Sequence, residues 1–281
     1  NIGSCYERGT GVSKDDKRAF GWFKRAAENG SVEAMFNVGL FYANGRGVTQ
    51  DYNKAFELYK KLGVYYKLAD FYRYGKGVSQ NLTQARLLYE KSAREGDRDA
   101  ILELAYLYEN GEGVSQDESK AIALFHLAAV QGNVEAMFRL GMCYKQGKGV
   151  RQCSSKILYM AMESVDDFIS KYESCEECSK DLNKAVEWLQ NAAGKGHMGA
   201  MCELNAMLNN GEVKPEDLSK LVDLLKKEVD AKNKNAMYVL ASCYENANVV
   251  QLDLDMAEKL LRQSANLGNT DAMCKLACWY R

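Results

Sequence analysis

Glu33-Ala-Met-Phe-Asn-Val-Gly-Leu-Phe-Tyr-Ala-Asn-Gly-Arg-Gly-Val48 returns later in the chain as Glu135-Ala-Met-Phe-Arg-Leu-Gly-Met-Cys-Tyr-Lys-Gln-Gly-Lys-Gly-Val150, matching at nearly every spaced position. Anchoring on the alanine finds further copies at Val64, Ala100, Ala200, Ala236 and Ala272. From Ala34 onward the spacings are 30, 36, 36, 64, 36 and 36, a period of 36 with one unit short by 6 and one long by 28. A fixed period of this length marks an array of small helical units rather than a single enzyme core.

Each unit reads as two helices. Helix A carries Ala34, Val38, Gly39 and Tyr42 on one face and stops at Gly45, a natural left-handed C-cap. Gly47 and Val48 follow, with Val48 expected to plug the loop. Asp51 sits where an N-cap should open helix B, whose inner face holds Ala55, Leu58, Tyr59 and Leu62. The same order recurs as Gly9/Gly11/Val12/Asp15/Ala19, Gly75/Gly77/Val78/Asn81/Ala85 and Gly111/Gly113/Val114/Asp117/Ala121. Small residues such as Ala34 and Gly39 predict close approach of the paired helices. One hairpin cannot bury its apolar face alone, so the hairpins must stack.

Composition agrees. There is 1 proline and there are 23 glycines in 281 residues, as expected of helices punctuated by glycine. The 37 basic and 38 acidic residues leave a net charge of −1, which argues against nucleic acid or an anionic membrane as the main partner. No uncharged stretch is long enough to cross a bilayer. The chain opens on Asn1 without a basic-then-apolar leader, begins inside one helix A and ends inside another, so a piece of a longer array is expected.

These residues resemble the Sel1-like repeat family, relatives of the tetratricopeptide repeats, through the pattern A-x(4)-G-x-x-Y-x-x-G-x-G-V-x-x-D-x-x-K-A. Residues 100–132 follow it with Ala105 in place of the first glycine and Phe125 at the later aromatic position. The resemblance implies an all-α, right-handed α/α superhelix, a solenoid of about seven 36-residue repeats covering residues 1–281 as one array. It also implies a scaffold or adaptor rather than an enzyme.

The array departs from its pattern in three places. In the sixth unit Val213 replaces the second loop glycine and Pro215 follows. In the seventh both glycines are gone, at Ala247 and Val249. A different backbone path is expected in both loops, and Gly211 is predicted to matter less than Gly111. The third departure is an insertion at residues 153–180 within the fifth full repeat. There Ile157, Ala161, Val165, Phe168 and Tyr172 describe an amphipathic helix followed by a CxxC loop. Either it packs on its own solenoid or it protrudes as a handle for a partner. If it is a simple addition, deleting it restores the period by joining Gln152 to the N-cap Asp181.

Of the 9 cysteines, Cys5, Cys143 and Cys243 share a helix A position with Phe41 and Phe71, and Cys202 and Cys274 share one with Phe36 and Phe138. They read as small core hydrophobes. No helix B carries a cysteine, so the within-repeat disulfide ladder of some Sel1-like proteins is not expected. That favours a reducing, cytoplasmic compartment over a luminal or secreted one. Cys153, Cys175 and Cys178 form the one cluster that could be free thiols, a disulfide or, with His197, a weak zinc site. No cofactor is expected. Neither His126 nor His197 has a partner at catalytic spacing, and the Gly-x-Gly-Val turns follow helices, not the strands of a phosphate-binding loop.

What remains for recognition is the variable face of helix A. It offers the triads Asn37/Leu40/Asn44, Lys67/Asp70/Tyr74, Glu103/Tyr106/Asn110 and Arg139/Met142/Gln146. In tetratricopeptide arrays helix A lines the concave groove, and the resemblance implies the same here. Aromatics, Met, amides and both charge signs suit a protein or peptide partner. The expectation is a non-catalytic adaptor binding through Asn37, Leu40, Lys67, Asp70, Tyr74, Glu103, Tyr106, Asn110, Arg139 and Met142. Two alternatives stand beside it: the regulatory repeats of a larger enzyme, and a luminal or secreted recognition module such as a quality-control adaptor. The sequence leaves oligomeric state open.

Overall fold

A computed structural model describes residues 2–148, 151–152, 165–174, 176–177, 180–214, 219–247 and 250–280. The sequence features at Cys153, Ile157, Ala161, Cys175, Cys178, Pro215 and Val249 lie outside the described residues. Two compact units are present, residues 1–121 and 122–281. Both are built from antiparallel helix pairs of the kind the period predicts, an α-solenoid architecture.

The first unit runs α1 (Ile2–Arg8), α2 (Asp16–Glu28), α3 (Val32–Asn44), α4 (Tyr52–Leu62), α5 (Tyr65–Tyr74), α6 (Leu82–Arg94) and α7 (Arg98–Asn110), ending within α8 (Glu118–Val130). The second continues through α9 (Val134–Gln146), β1 (Arg151–Gln152), α10 (Val165–Glu173), β2 (Glu176–Glu177), α11 (Leu182–Gly194), α12 (Met198–Asn209), α13 (Ser219–Asp230), α14 (Lys234–Asn246), α15 (Leu254–Asn266) and α16 (Thr270–Trp279).

The caps fall where the sequence puts them. Asp15, Asp51, Asn81, Asp181 and Asp253 each accept the backbone N–H three residues on, opening the helix B of their repeat. The first loop glycine ends helix A in left-handed backbone, with φ +64° at Gly45 and +71° at Gly111. The second has a different task. A Cβ on Gly47 would lie 2.3 Å from the Asp16 carbonyl oxygen, and one on Gly113 would lie 2.5 Å from the Leu82 carbonyl carbon. This glycine therefore lets these two loops press against the start of the preceding helix B. Gly39 works likewise within a hairpin, because a Cβ there would meet the Tyr59 ring at 2.9 Å. Val48 and Val78 pack against the clusters around Phe41 and Phe71 but are only half-buried, not sealed plugs.

The irregular loops begin with left-handed residues, while the later part of their expected path, residues 215–218 and 248–249, lies outside the described residues. Gly211 takes φ +70°, close to the +71° of Gly111, so loss of the following glycine does not abolish the left-handed turn, although α12 itself ends at Asn210 in right-handed backbone. Ala247 caps α14 at φ +52° and ψ +32°, so the seventh loop enters by the usual path although it has no glycine to make that easy.

The insertion leaves and re-enters the array at one place. The Asp181 N–H donates to the Tyr144 carbonyl at 3.0 Å, as the Asp51 N–H does to Tyr42 at 2.9 Å in an uninterrupted repeat. A two-residue antiparallel ladder pairs Arg151 with Glu177 and Gln152 with Glu176, a small exception to the all-helical pattern. The described part of the inserted helix, α10, buries Val165, Phe168, Ile169 and Tyr172. Phe168 and Tyr172 lie with His126 of α8, ring centroids 6.2 and 5.8 Å apart, and Trp188 of α11 lies 5.5 Å from the same imidazole. This face of the insertion packs on its own protein.

Candidate functional site

In the first unit the predicted row is carried by α3, α5 and α7. Helical spacing sets Lys67, Asp70 and Tyr74 along α5 and Glu103, Tyr106 and Asn110 along α7. Between these helices Arg73 is only 8% exposed. Its Nη1 lies 2.5 Å from Glu103 and its Nε donates to Glu112 at 3.0 Å. Asp70 accepts a 2.5 Å hydrogen bond from the Tyr89 hydroxyl and lies 3.8 Å from the Lys67 ammonium. Burial raises the Glu103 carboxyl above its ordinary value despite the attraction of Arg73. Burial opposes ionisation of Glu112 too, but hydrogen bonds from Arg73 and Asn110 hold its carboxyl below the ordinary value. Burial, reinforced by the charge of Asp70, raises the Tyr89 phenol, so it remains a donor.

Tyr74 stands out on this row. Its side chain is 54% exposed, with the Arg73 guanidinium 5.5 Å and the Lys76 ammonium 5.1 Å from the ring centroid. Two cations therefore hold an accessible aromatic ring in place. Asn37, Leu40 and Tyr106 are half-buried and Asn110 is exposed.

Arg139 and Met142 belong to the second unit, where both are half-buried on α9. Arg139 pairs with Glu135 at 3.1 Å. His197 accepts the Ala200 N–H at Nδ1 (3.0 Å), which leaves Nε2 to carry the proton toward Glu135, also 3.0 Å away. It stacks on Phe138 with centroids 4.6 Å apart. His197 is thus an N-cap. The candidate zinc ligands Cys153, Cys175 and Cys178 lie outside the described residues, and among the described residues no group of three His, Cys, Asp or Glu could hold a metal. Burial pushes the Cys243 thiol up to about 12, so it is not activated, whereas Cys202 and Cys274, read as core from the sequence, are exposed.

Sequence reasoning missed an ionic register that joins consecutive helices A. A charge nine residues after the anchor meets opposite charges three and twelve residues after the next anchor. Arg73 meets Glu103 and Glu112 in this way. Lys145 meets Glu203 at 2.6 Å and Glu212 at 3.3 Å. Glu7 meets Arg46 at 2.9 Å, and Glu245 pairs with Lys275. The signal was legible as complementary charges one repeat apart. Its consequence is that Glu103, read as a groove residue, also ties α7 to α5.

The Sel1 repeat model matches residues 1–31, 32–62, 64–97, 98–133, 134–154, 176–197 and 234–269, well over half the chain. The chain belongs to the Sel1 repeat family. The unmatched interval 198–233 contains the hairpin α12/α13, whose loop has lost its second glycine. A Sel1 repeat protein from Oxalobacter formigenes is similar at 29% identity with a TM-score of 0.60, covering 75% of this chain and 77% of that one. A protective antigen of uropathogenic Escherichia coli with the same repeat fold is also 29% identical. It covers 98% of this chain and 62% of its own, with a TM-score of 0.46. No curated protein matches. Sel1 arrays are typically protein-interaction scaffolds. Among the described residues no helix is long and apolar enough to cross a membrane.

Proposed function

We propose that this array is a non-catalytic scaffold that binds a protein or peptide partner along the helix A row of its first unit. The supporting observation is Tyr74, an exposed ring on a row otherwise organised by the Arg73 network. Aromatic and arginine side chains held in one geometry lose little freedom on binding and dominate interface energies. Tyr106 follows on α7, one helix A further along the array. Asp70 and Glu103 contribute by fixing Tyr89 and Arg73 rather than as free ligands. Among the described residues, the thiols of Cys5 and Cys243 support a reducing, cytoplasmic setting.

The test is affinity capture with the folded array, identification of the captured protein, and titration of variants against it. Replacing Tyr74 or Tyr106 by Ala should weaken binding by about 2 kcal/mol, or tens of fold, with the helical signal unchanged. Lys60→Ala, at an exposed site on α4, should change binding little. Loss of binding in the lysine variant alone would refute the row.

A further inference from the structure

Between α2 and α4, with α3 as its floor, lies an open cleft of about 670 Å³. Ala27, Met35 and Leu58 give it apolar walls, and Lys24, Lys54 and Lys61 stand among its lining residues together with Glu28 and Glu57. It is built mainly from helix B surface and shares none of the residues of the helix A row.

The next interval, where the repeat is shorter by 6 residues, fills the corresponding space from its own sequence. There Gly63 takes the place of Ala27, Tyr65 that of Met35, and Lys91 that of Lys61. The Tyr65 hydroxyl lies 3.7 Å from where a Gly63 Cβ would be, so its ring spans the interval from α5 toward the end of α4. The Lys91 ammonium sits 3.9 Å from the ring centroid. Between α2 and α4 the lysine is kept, and Met35, the residue that Met137, Met201 and Met237 repeat at this position, leaves the space open.

The charges around the cleft point the same way. Lys54 is already engaged, 3.0 Å from Asp51 and 5.3 Å from the Tyr42 ring centroid. Lys61 and Lys24 make no ion pair or ring contact among the described residues. Glu28 and Glu57 balance them, so the rim selects neither an acidic nor a basic segment. The unmet complement is the negative face of an aromatic ring beneath an ammonium group.

We infer that the cleft between α2 and α4 is a second docking site, taking an aromatic side chain from a protein partner, with the ring lying under Lys61 as Tyr65 lies under Lys91. The partner's ring supplies from outside what the following repeat supplies from its own sequence. Flanking residues of the partner meet Lys24, Glu28 and Glu57 at the rim.

The probe is the blocked tripeptide Ac-Ala-Phe-Ala-NH2, compared with the same peptide carrying cyclohexylalanine, which keeps the six-membered apolar ring but lacks its quadrupole. Saturation transfer to the peptide reports binding, and the methyl resonance of Met35 reports its place. The phenylalanine peptide should give a saturable upfield shift at Met35 and bind several-fold more tightly than the cyclohexylalanine peptide. Lys61→Met should remove most of that preference. Met35→Tyr, which installs the internal ring of the next interval, should abolish binding while keeping or raising the melting temperature. Equal binding of the two peptides, no saturable shift at Met35, or undiminished binding to a folded Met35→Tyr variant would overturn the inference. None of these outcomes bears on the helix A row, which Tyr106→Ala tests separately.

Discussion

Tyr59 and Tyr89 occupy the same position in successive helices B, and both are fully buried. Tyr89 donates to Asp70, whereas the residue at the Asp70 position of the preceding repeat is Leu40, and the Tyr59 hydroxyl has no partner among the described residues. The two phenols should therefore respond oppositely to loss of the hydroxyl. Tyr89→Phe removes a hydrogen bond to a carboxylate and should cost about 2 kcal/mol, while Tyr59→Phe should be neutral or slightly stabilising. Urea denaturation of the pair measures the difference. Equal losses would mean that Asp70 is not the partner that matters. Helical spacing put Tyr59 on the inner face of its helix B from sequence, and Tyr89 takes the same place one repeat on. It could not show which had an acceptor, because that depends on a residue in another helix nineteen positions away.

At the scale of the element, the loops divide the work of their two glycines, and a matched pair of substitutions separates conformation from contact. Gly11 and Gly113 have φ of +73° and +71°, yet a Cβ on Gly11 meets nothing within 4 Å and one on Gly113 strikes the Leu82 backbone. Both alanine variants carry the same left-handed strain. Gly113→Ala should cost about 2 kcal/mol more, by overpacking against backbone that cannot yield. Thermal melts of the two variants check this, and similar losses would leave the second glycine with only a conformational role. The repeat pattern showed where the turns were but not this contact, since Gly-x-Gly reads alike in every copy that keeps it.

The inserted element makes a pH-dependent prediction. His126 is buried against Phe168, Tyr172 and Trp188, and its pKa is lowered from 6.5 to about 4, chiefly by burial, with the nearby Lys184 adding to the effect. The neutral imidazole is the folded form. Its stabilising contribution is present above pH 6.5 and lost as pH falls through 6.5 toward 4, amounting to about 3 kcal/mol across that window. Stability measured against pH should show this slope in the natural chain and lose it in His126→Phe. An unchanged slope in the variant would assign the acid sensitivity elsewhere. Deleting residues 153–180, which the period alone suggests is harmless, would uncover His126 and Trp188, so the shortened chain should fold with reduced stability. Helical spacing found the apolar face of the insertion. Its resting place was not legible, because the covered surface belongs to α8 and α11.

Over the whole molecule, the period of 36 and its two deviations point to an α-solenoid, since stacking neighbours buries the apolar face that a single repeated hairpin leaves open. The ionic register between helices A was within reach of the sequence as complementary charges one repeat apart, but no single helix displays it. It changes how the proposed row is understood: Glu103 holds Arg73 beside Tyr74, Asp70 is taken up by Tyr89 and Lys67, and Tyr74 and Tyr106 are left as the proposed contact surface. Hydrogen–deuterium exchange of the array, alone and bound to its captured partner, tests this most directly. The account predicts new protection in the peptides of α5 and α7, residues 65–74 and 98–110, with the outer surface of α6 unchanged. Protection confined to α6, with α5 and α7 exchanging as in the free protein, would contradict it.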